Sequence, residues 1–317
     1  MPVVETVSCS NSLATLPPEL VWPMIELAAR SQHPRKQRWI ALSLSLVNRA
    51  AREIAERRIY SCVVINSITV AKLFEQSLER KEKSPVARYT KELHFNLEIG
   101  FGAVGAALWI RWSKIMTHMP RLRAITAPPA LFGLNNELDM RLISVIERLY
   151  IPIPFSTFYG NNSTHSVKFE LADMVCLTHL HLKIEWADPR NVALLGLEQV
   201  QSVTHILLDF PLRGLDNMGP EDLEIVPAIL TASLAGPRVQ RVLVRSPVRN
   251  SGHHQALLSI LLQYIRDHSE KRLWIDDSTY KIEYRDFFFS SVHLVDVTSG
   301  VEPYLRGRPL HLQVDAS

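Results

Sequence analysis

The sequence predicts an α/β protein: a small N-terminal three-helix unit, then an irregular solenoid of strand–helix repeats. Three observations predict it. Apolar residues at helical spacing fill much of the first sixty positions, and short β-like runs then alternate with helix-like runs. An apolar-x-x-apolar-x-apolar pattern also returns along the rest of the chain at intervals that average 30 residues.

Composition narrows the setting. With 317 residues and 47% hydrophobic content, the chain can bury a large core. Lys+Arg of 35 against Asp+Glu of 32 leaves a net +3, too little for the single-sign field of a nucleic-acid binder, so no nucleic-acid partner is expected. The three cysteines, Cys9, Cys62 and Cys176, are widely spaced with no Cys or His at metal-ligand intervals. They predict a reduced intracellular protein, cytoplasmic or nuclear, without a metal site. The N-terminus lacks a basic stretch followed by an apolar one, and no apolar run approaches the roughly 18–20 residues that span a bilayer, so neither secretion nor membrane insertion is expected. Asn161 and Asn162 each begin an N-x-S/T sequon, which without a secretory route marks only a polar loop.

Residues 1–14 are small and polar without a sustained period and read as a tail. The first helix has Thr15 as N-cap, prolines in the first turn where a missing N–H costs little, and Leu20, Met24 and Leu27 on one face. Pro23 lies beyond the tolerated turn and predicts a kink or a restart near Trp22. After the basic loop "SQHPRKQ", Trp39, Leu42, Leu46 and Val47 mark a second helix, and Ile54, Ala55 and Ile59 a third. Among the basic residues Arg35, Lys36, Arg38, Arg57 and Arg58, the last pair interleaves with Glu53 and Glu56, the pattern of a solvated face. So short a unit leaves too much surface wet to be stable alone.

"LPPELVWPMIELA" followed by "ALSLSLVNRAAREIAERRIY" resembles the F-box, in the form found in F-box-like proteins of mushroom-forming fungi: L-P-x-E, an apolar helix, S-L-V-C-R-x-W and a closing aromatic. Over residues 15–60, Leu16, Pro17, Glu19, Leu20, Ile25, Leu46, Val47, Arg49 and Tyr60 stand where that pattern has similar residues. Asn48 occupies the Cys slot and Ala51 the Trp slot, which removes a large apolar contact and bears on adaptor affinity. The resemblance implies docking on the adaptor subunit of a cullin-RING ubiquitin ligase, with Leu16, Pro17, Leu20, Ile25, Leu46 and Val47 as the adaptor face.

The repeat then runs through residues 61–299. Its copies are Leu122, Ile125, Ala127; Ile146, Leu149, Ile151; Leu177, Leu180, Leu182; Val203, Ile206, Leu208; and Val239, Val242, Val244. Weaker copies centre on Leu93 and Leu273, with Thr90 and Glu270 in their first slots. The middle anchors, 93, 125, 149, 180, 206, 242 and 273, are separated by 32, 24, 31, 26, 36 and 31 residues. Helix candidates lie between most of them: "AALWIRWSKIMTHM", "PRNVALLGLEQVQ", "PEDLEIVPAILTASL" and "HHQALLSILLQYIRDHS". One strand plus one helix per unit resembles a leucine-rich repeat. The Asn that follows the strand in that family is absent, with Glu185, Pro211 and Pro247 in its place in three units, so each turn must find its own hydrogen bonds and an irregular arc is expected. Residues 279–296, including Phe287, Phe288 and Phe289, are expected to cap the last repeat, and a C-terminal tail occupies 300–317.

The chemistry-bearing motifs are few. Gly100-x-Gly102-x-x-Gly105 matches a dinucleotide fingerprint in letters and in its strand-then-helix setting. That turn requires a strand buried on both faces and an acidic residue at the end of the next strand, whereas "ELHFNLEI" alternates with polar residues and "LRAITAPP" ends without Asp or Glu. The glycines are accordingly expected to serve close helix packing, with no cofactor. His179 and His181 share one face of a strand but lack a third metal ligand, and are expected to line the exposed face of the solenoid. His253 with His254 opens a helix and Asp276 with Asp277 sits at a strand end as a turn, neither with a nucleophilic or acid/base partner. No G-x-S-x-G, P-loop or H-E-x-x-H occurs, and no catalytic residue is expected. The expected function is that of a substrate-recruiting subunit of an SCF-type ubiquitin ligase, the F-box meeting the adaptor and the solenoid an unidentified target protein. The alternatives are a nucleotide-dependent enzyme using Gly100–Gly105 and a protein-interaction scaffold outside any ligase.

Overall fold

The computed structural model of the chain describes residues 23–24, 43, 46, 49–65, 67–79, 84–95, 116, 118–126, 144–151, 171, 174–183, 197–210, 225–245, 252–276 and 303–314. The chain divides into two compact units, Met1–Ser61 and Cys62–Ser317.

In the first unit, helix α1 (Arg49–Ile59) is the third of the expected helices. Its Ala51 and Ala55, one turn apart, are fully buried, while Arg52 pairs with Glu56 at 2.8 Å and Arg57 with Glu53 at 2.7 Å on the outer face. These i,i+4 pairs are solvated, and water screens them, so they mark the outer face of the helix rather than hold it. Pro23 and Met24 are helical, and Met24 is exposed. In the second expected helix Ser43 is helical and Leu46 sits in a turn; the other residues of the first two expected helices lie outside the described residues.

The second unit is a mixed α/β structure. Among the described residues its nine strands are β1 (Cys62–Ile65), β2 (Glu92–Phe95), β3 (Ala124–Thr126), β4 (Arg148–Ile151), β5 (His179–Lys183), β6 (His205–Asp209), β7 (Arg241–Arg245), β8 (Leu273–Asp276) and β9 (Arg308–Pro309). They lie in the sheet in chain order, parallel from β1 to β8, with β9 antiparallel to β8. Parallel neighbours need crossovers. The described helical crossover segments are α2 (Ile68–Glu79) and α3 (Pro85–Tyr89) before β2, a 3₁₀ turn Leu197–Gln199 before β6, α4 (Ile225–Leu234) before β7 and α5 (Gly252–His268) before β8. The last two coincide with "PEDLEIVPAILTASL" and "HHQALLSILLQYIRDHS", and a Thr231–Tyr264 hydroxyl contact of 3.0 Å joins them.

The seven sequence anchors form one line across this sheet. Leu93, Ile125, Leu149, Leu180, Ile206, Val242 and Leu273 are successive register partners, each at most 1% exposed. A parallel row runs through Ile151, Leu182, Leu208, Val244 and Ile275, all buried. The first-slot residues Leu122, Ile146, Leu177, Val203 and Val239 are buried as well. Burying each such side chain contributes about 1.5–3 kcal/mol, so the rows specify the register of the strands. Thr90, in a weak copy, is fully buried because its hydroxyl donates to the Val86 carbonyl at 2.6 Å.

A backbone device repeats at the strand starts. The carbonyls of Lys91, Arg123, Glu147, Thr178 and Thr204 each accept two consecutive N–H groups from the next unit, those of residues 123–124, 147–148, 178–179, 204–205 and 240–241. The peptide groups at the strand starts are thereby satisfied by the neighbouring repeat. Thr178 and Thr204 reinforce the line, their hydroxyls donating at 3.1 Å to the carbonyls of Glu147 and Thr178.

The C-terminal tail carries structure. A 3₁₀ turn (Pro303–Leu305), β9 and helix α6 (His311–Val314) follow the sheet edge, with Tyr304 and Leu310 buried. Gly307 sits at φ 85°, and an added Cβ there would collide with the Ile275 carbonyl and approach Leu243 Cδ1 at 2.8 Å. Only glycine fits both the backbone conformation and the space. The cap expected over residues 279–296 lies outside the described residues, as do Glu185, Pro211, Pro247 and Gly100–Gly105.

Candidate functional site

The anchors occupy one face of the sheet; the alternate residues of each strand build the other. Across its middle run Val64, His94, Thr126, Tyr150, His181, Leu207, Leu243 and Trp274 as successive partners. On one side of that line lie Glu92, Ala124, Arg148, His179, His205 and Arg241, and on the other Lys183, Asp209, Arg245 and Asp276. This face therefore gathers imidazoles, guanidinium groups and carboxylates from several repeats.

Its most tightly built part is a buried ionic network. Arg245 donates from Nε to one oxygen of Asp209 at 2.6 Å and from a terminal nitrogen to the other at 2.7 Å, the two-pronged geometry in which a guanidinium matches a carboxylate. His181 Nε2 lies 2.5 Å from the same second oxygen, which fixes it as the donor to the carboxylate. Burial pushes the Asp209 carboxyl up, but Arg245 and His181 outweigh it and hold the acid well below the usual carboxylate range. His181 also stacks obliquely on Tyr150, with ring centroids 4.0 Å apart.

His179 and His181 separate in role as soon as the neighbouring strand is placed. The expectation that both line an exposed face is corrected for His181, which is 1% exposed because Asp209, Arg245 and Tyr150 enclose it. His179 is half-buried and stacks on its register partner His205, centroids 4.8 Å apart and planes 11° apart. Tyr304 of the C-terminal segment meets the His179 ring edge-on at 4.7 Å. Beside them the Arg241 guanidinium lies 3.8 Å from the Trp274 ring centre and donates to the Arg306 carbonyl. Partial burial lowers the Arg241 pKa, with Asp276 acting in the opposite sense. Leu207, Leu243, Tyr304 and Trp274 form an apolar cluster under the same segment. The C-terminal strap thus covers the β5–β8 part of this face.

The other sequence-selected residues are placed as follows. Leu46 is 87% exposed, in a turn whose N–H bonds to the Ser43 carbonyl. Leu16, Pro17, Leu20, Ile25 and Val47 lie outside the described residues. Asp276 stands at the end of its strand, as expected: it is the last residue of β8, buried and in register with Arg245, while Asp277 lies outside the described residues. His254 is buried within α5. Among the described residues, the group of His, Cys and carboxylate side chains close enough to share a metal ion is Cys62, Glu92 and His94. Linear spacing hid it: the cysteine is 30 residues from the glutamate, and strand pairing brings them together.

Among the described residues no helix is long and apolar enough to cross a membrane. No protein-family model matches the chain, and a search of curated proteins finds no match either.

Proposed function

We propose that the chain is a non-catalytic interaction protein that recruits a target protein to a cullin-RING ubiquitin ligase, its F-box-like segment docking on the adaptor and its sheet unit holding the target. The observation that carries the reading is the chain-order sheet, in which each repeat contributes one strand beside the last. Such stacking is the plan of a repeat solenoid, whose extended surface suits recognition of another protein. The buried His181–Asp209–Arg245 network supports the same reading, because its carboxylate is engaged by two partners and its imidazole is enclosed. For the adaptor face the support is the sequence resemblance over residues 15–60, together with a leucine, Leu46, that is 87% exposed. Ubiquitin transfer would be accelerated by proximity alone, with the chemical groups supplied by other subunits.

The test is co-purification of the full-length protein with the adaptor. Association at micromolar concentration is expected, and Leu16→Lys combined with Val47→Asp should abolish it while the unit Cys62–Ser317 keeps its fold. Absence of association from the wild-type chain would overturn the ligase reading and leave a protein-interaction scaffold. A thermal shift with NAD, NADP or FAD at millimolar concentration would instead favour the nucleotide-dependent alternative.

A further inference from the structure

We propose that Cys62, Glu92 and His94 form a binding site for a divalent cation of the zinc class, at the β1–β2 end of the sheet. Cys62 and Glu92 are direct register partners on adjacent parallel strands, and His94 follows Glu92 by two residues, so the three side chains share one face. Their donor atoms all lie within 4.8 Å of one another. Glu92 Oε2 and His94 Nε2 stand 3.6 Å apart. That separation is too long for a hydrogen bond but close to the edge of a tetrahedron whose metal–ligand bonds are about 2.0–2.3 Å.

The ligand set and its surroundings suit such an ion. A thiolate, an imidazole and a carboxylate together match a borderline-soft cation and disfavour calcium or magnesium, which seek all-oxygen sites. Thiolate and carboxylate carry two negative charges, which a divalent ion neutralises. His94 is held from behind: its Nδ1 lies 2.7 Å from Thr126 Oγ1 on the next strand. With Nδ1–H donating to that hydroxyl, Nε2 turns its lone pair toward Glu92 and Cys62, as outer hydrogen bonds orient histidine ligands in metal sites. His94 is nearly buried, whereas the Glu92 side chain is 38% exposed and Cys62 half-buried, so the fixed ligand lies deep and the ion has a route from solvent. Three protein donors leave one tetrahedral position for water or a partner's ligand. The His181–Asp209–Arg245 network offers no rival site, because the Arg245 guanidinium already occupies the place of a cation there.

The experiment uses the full-length chain carrying Cys9→Ser and Cys176→Ser, so that Cys62 is the single thiol, titrated with Co²⁺ and then Zn²⁺. A thiolate-to-cobalt charge-transfer band saturating at one equivalent and displaced by Zn²⁺ is expected. Adding Cys62→Ser should remove the band, and Glu92→Gln, at a half-exposed position, should weaken cobalt binding about 10-fold or more. Thr126→Val, which preserves shape but removes the hydroxyl behind His94, should weaken it about 10–100-fold. A chain that gives no band overturns the proposal. So does a band that survives Cys62→Ser, or one that Glu92→Gln leaves unchanged, since the latter describes a lone thiolate rather than a three-ligand site.

Discussion

Asp209 and Arg245 face each other on neighbouring parallel strands and share two hydrogen bonds, 2.6 and 2.7 Å long, on the alternate face of the sheet. Arg245 is 2% exposed. The pair is costly to desolvate, so its value lies less in net attraction than in what happens when one partner is lost. Asp209→Asn should leave a buried guanidinium without its counter-charge and destabilise the sheet unit by about 3–5 kcal/mol in urea unfolding. Asp209→Asn combined with Arg245→Met should lose less than the sum of the two single substitutions.

The same pair sets an acid dependence. The Asp209 carboxyl titrates lower in the folded protein than the roughly 3.9 of an unfolded chain, so its stabilising contribution is complete above that value. It is lost as pH falls toward the depressed folded value. The stability gap between wild type and Asp209→Asn should therefore shrink as pH falls below about 4. A gap that widened below about pH 4 would contradict that sign.

Leu180 tests the anchor row. It is fully buried between Leu149 and Ile206, and Leu180→Ala should cost about 2–5 kcal/mol. Val175, a few residues earlier and 67% exposed, is the control: Val175→Ala should change stability by no more than about 0.5 kcal/mol.

Gly307 tests the strap. Gly307→Ala forces a side chain into the left-handed region and against Ile275 and Leu243, so a loss of at least about 1–2 kcal/mol is expected in thermal unfolding. The loosened strap should also raise solvent exposure of Trp274, read as a red shift of its fluorescence in a background lacking the other tryptophans.

Leu46 separates folding from docking. At 87% exposure it contributes little to stability, so Leu46→Asp should leave the melting temperature unchanged. On the ligase reading the same substitution should weaken adaptor capture at least tenfold, a ratio worth about 1.4 kcal/mol.

Much of the sheet was legible along the chain. Five of the seven anchors are flanked by apolar residues three positions before and two after, the copies at Leu93 and Leu273 having Thr90 and Glu270 in the first slot, and the structure sets all seven side by side. Helix α5 was equally plain, since its apolar spacing runs from Ala256 to Ile265 behind Ser251 and Gly252. His181 was not. Nothing near it in sequence signals that Asp209, 28 residues on, and Arg245, 64 residues on, will enclose it. The tail expected over 300–317 misled for a different reason: nothing local in "VEPYLRGRPL" marks structure, and Tyr304 finds a place only because His179 and His205 already stack beneath it.

By itself the sequence determined the α/β class, the strand positions and which residues form the buried row, because periodic hydrophobicity is a local property that each repeat carries in its own letters. Only the tertiary structure decided the polar face: which imidazole meets which carboxylate, that Cys62 stands beside Glu92 and His94, and that the C-terminal segment closes over β5–β8. Those contacts join different repeats, and their chemistry depends on strand register, which is fixed by the apolar rows rather than by the polar residues that register brings together.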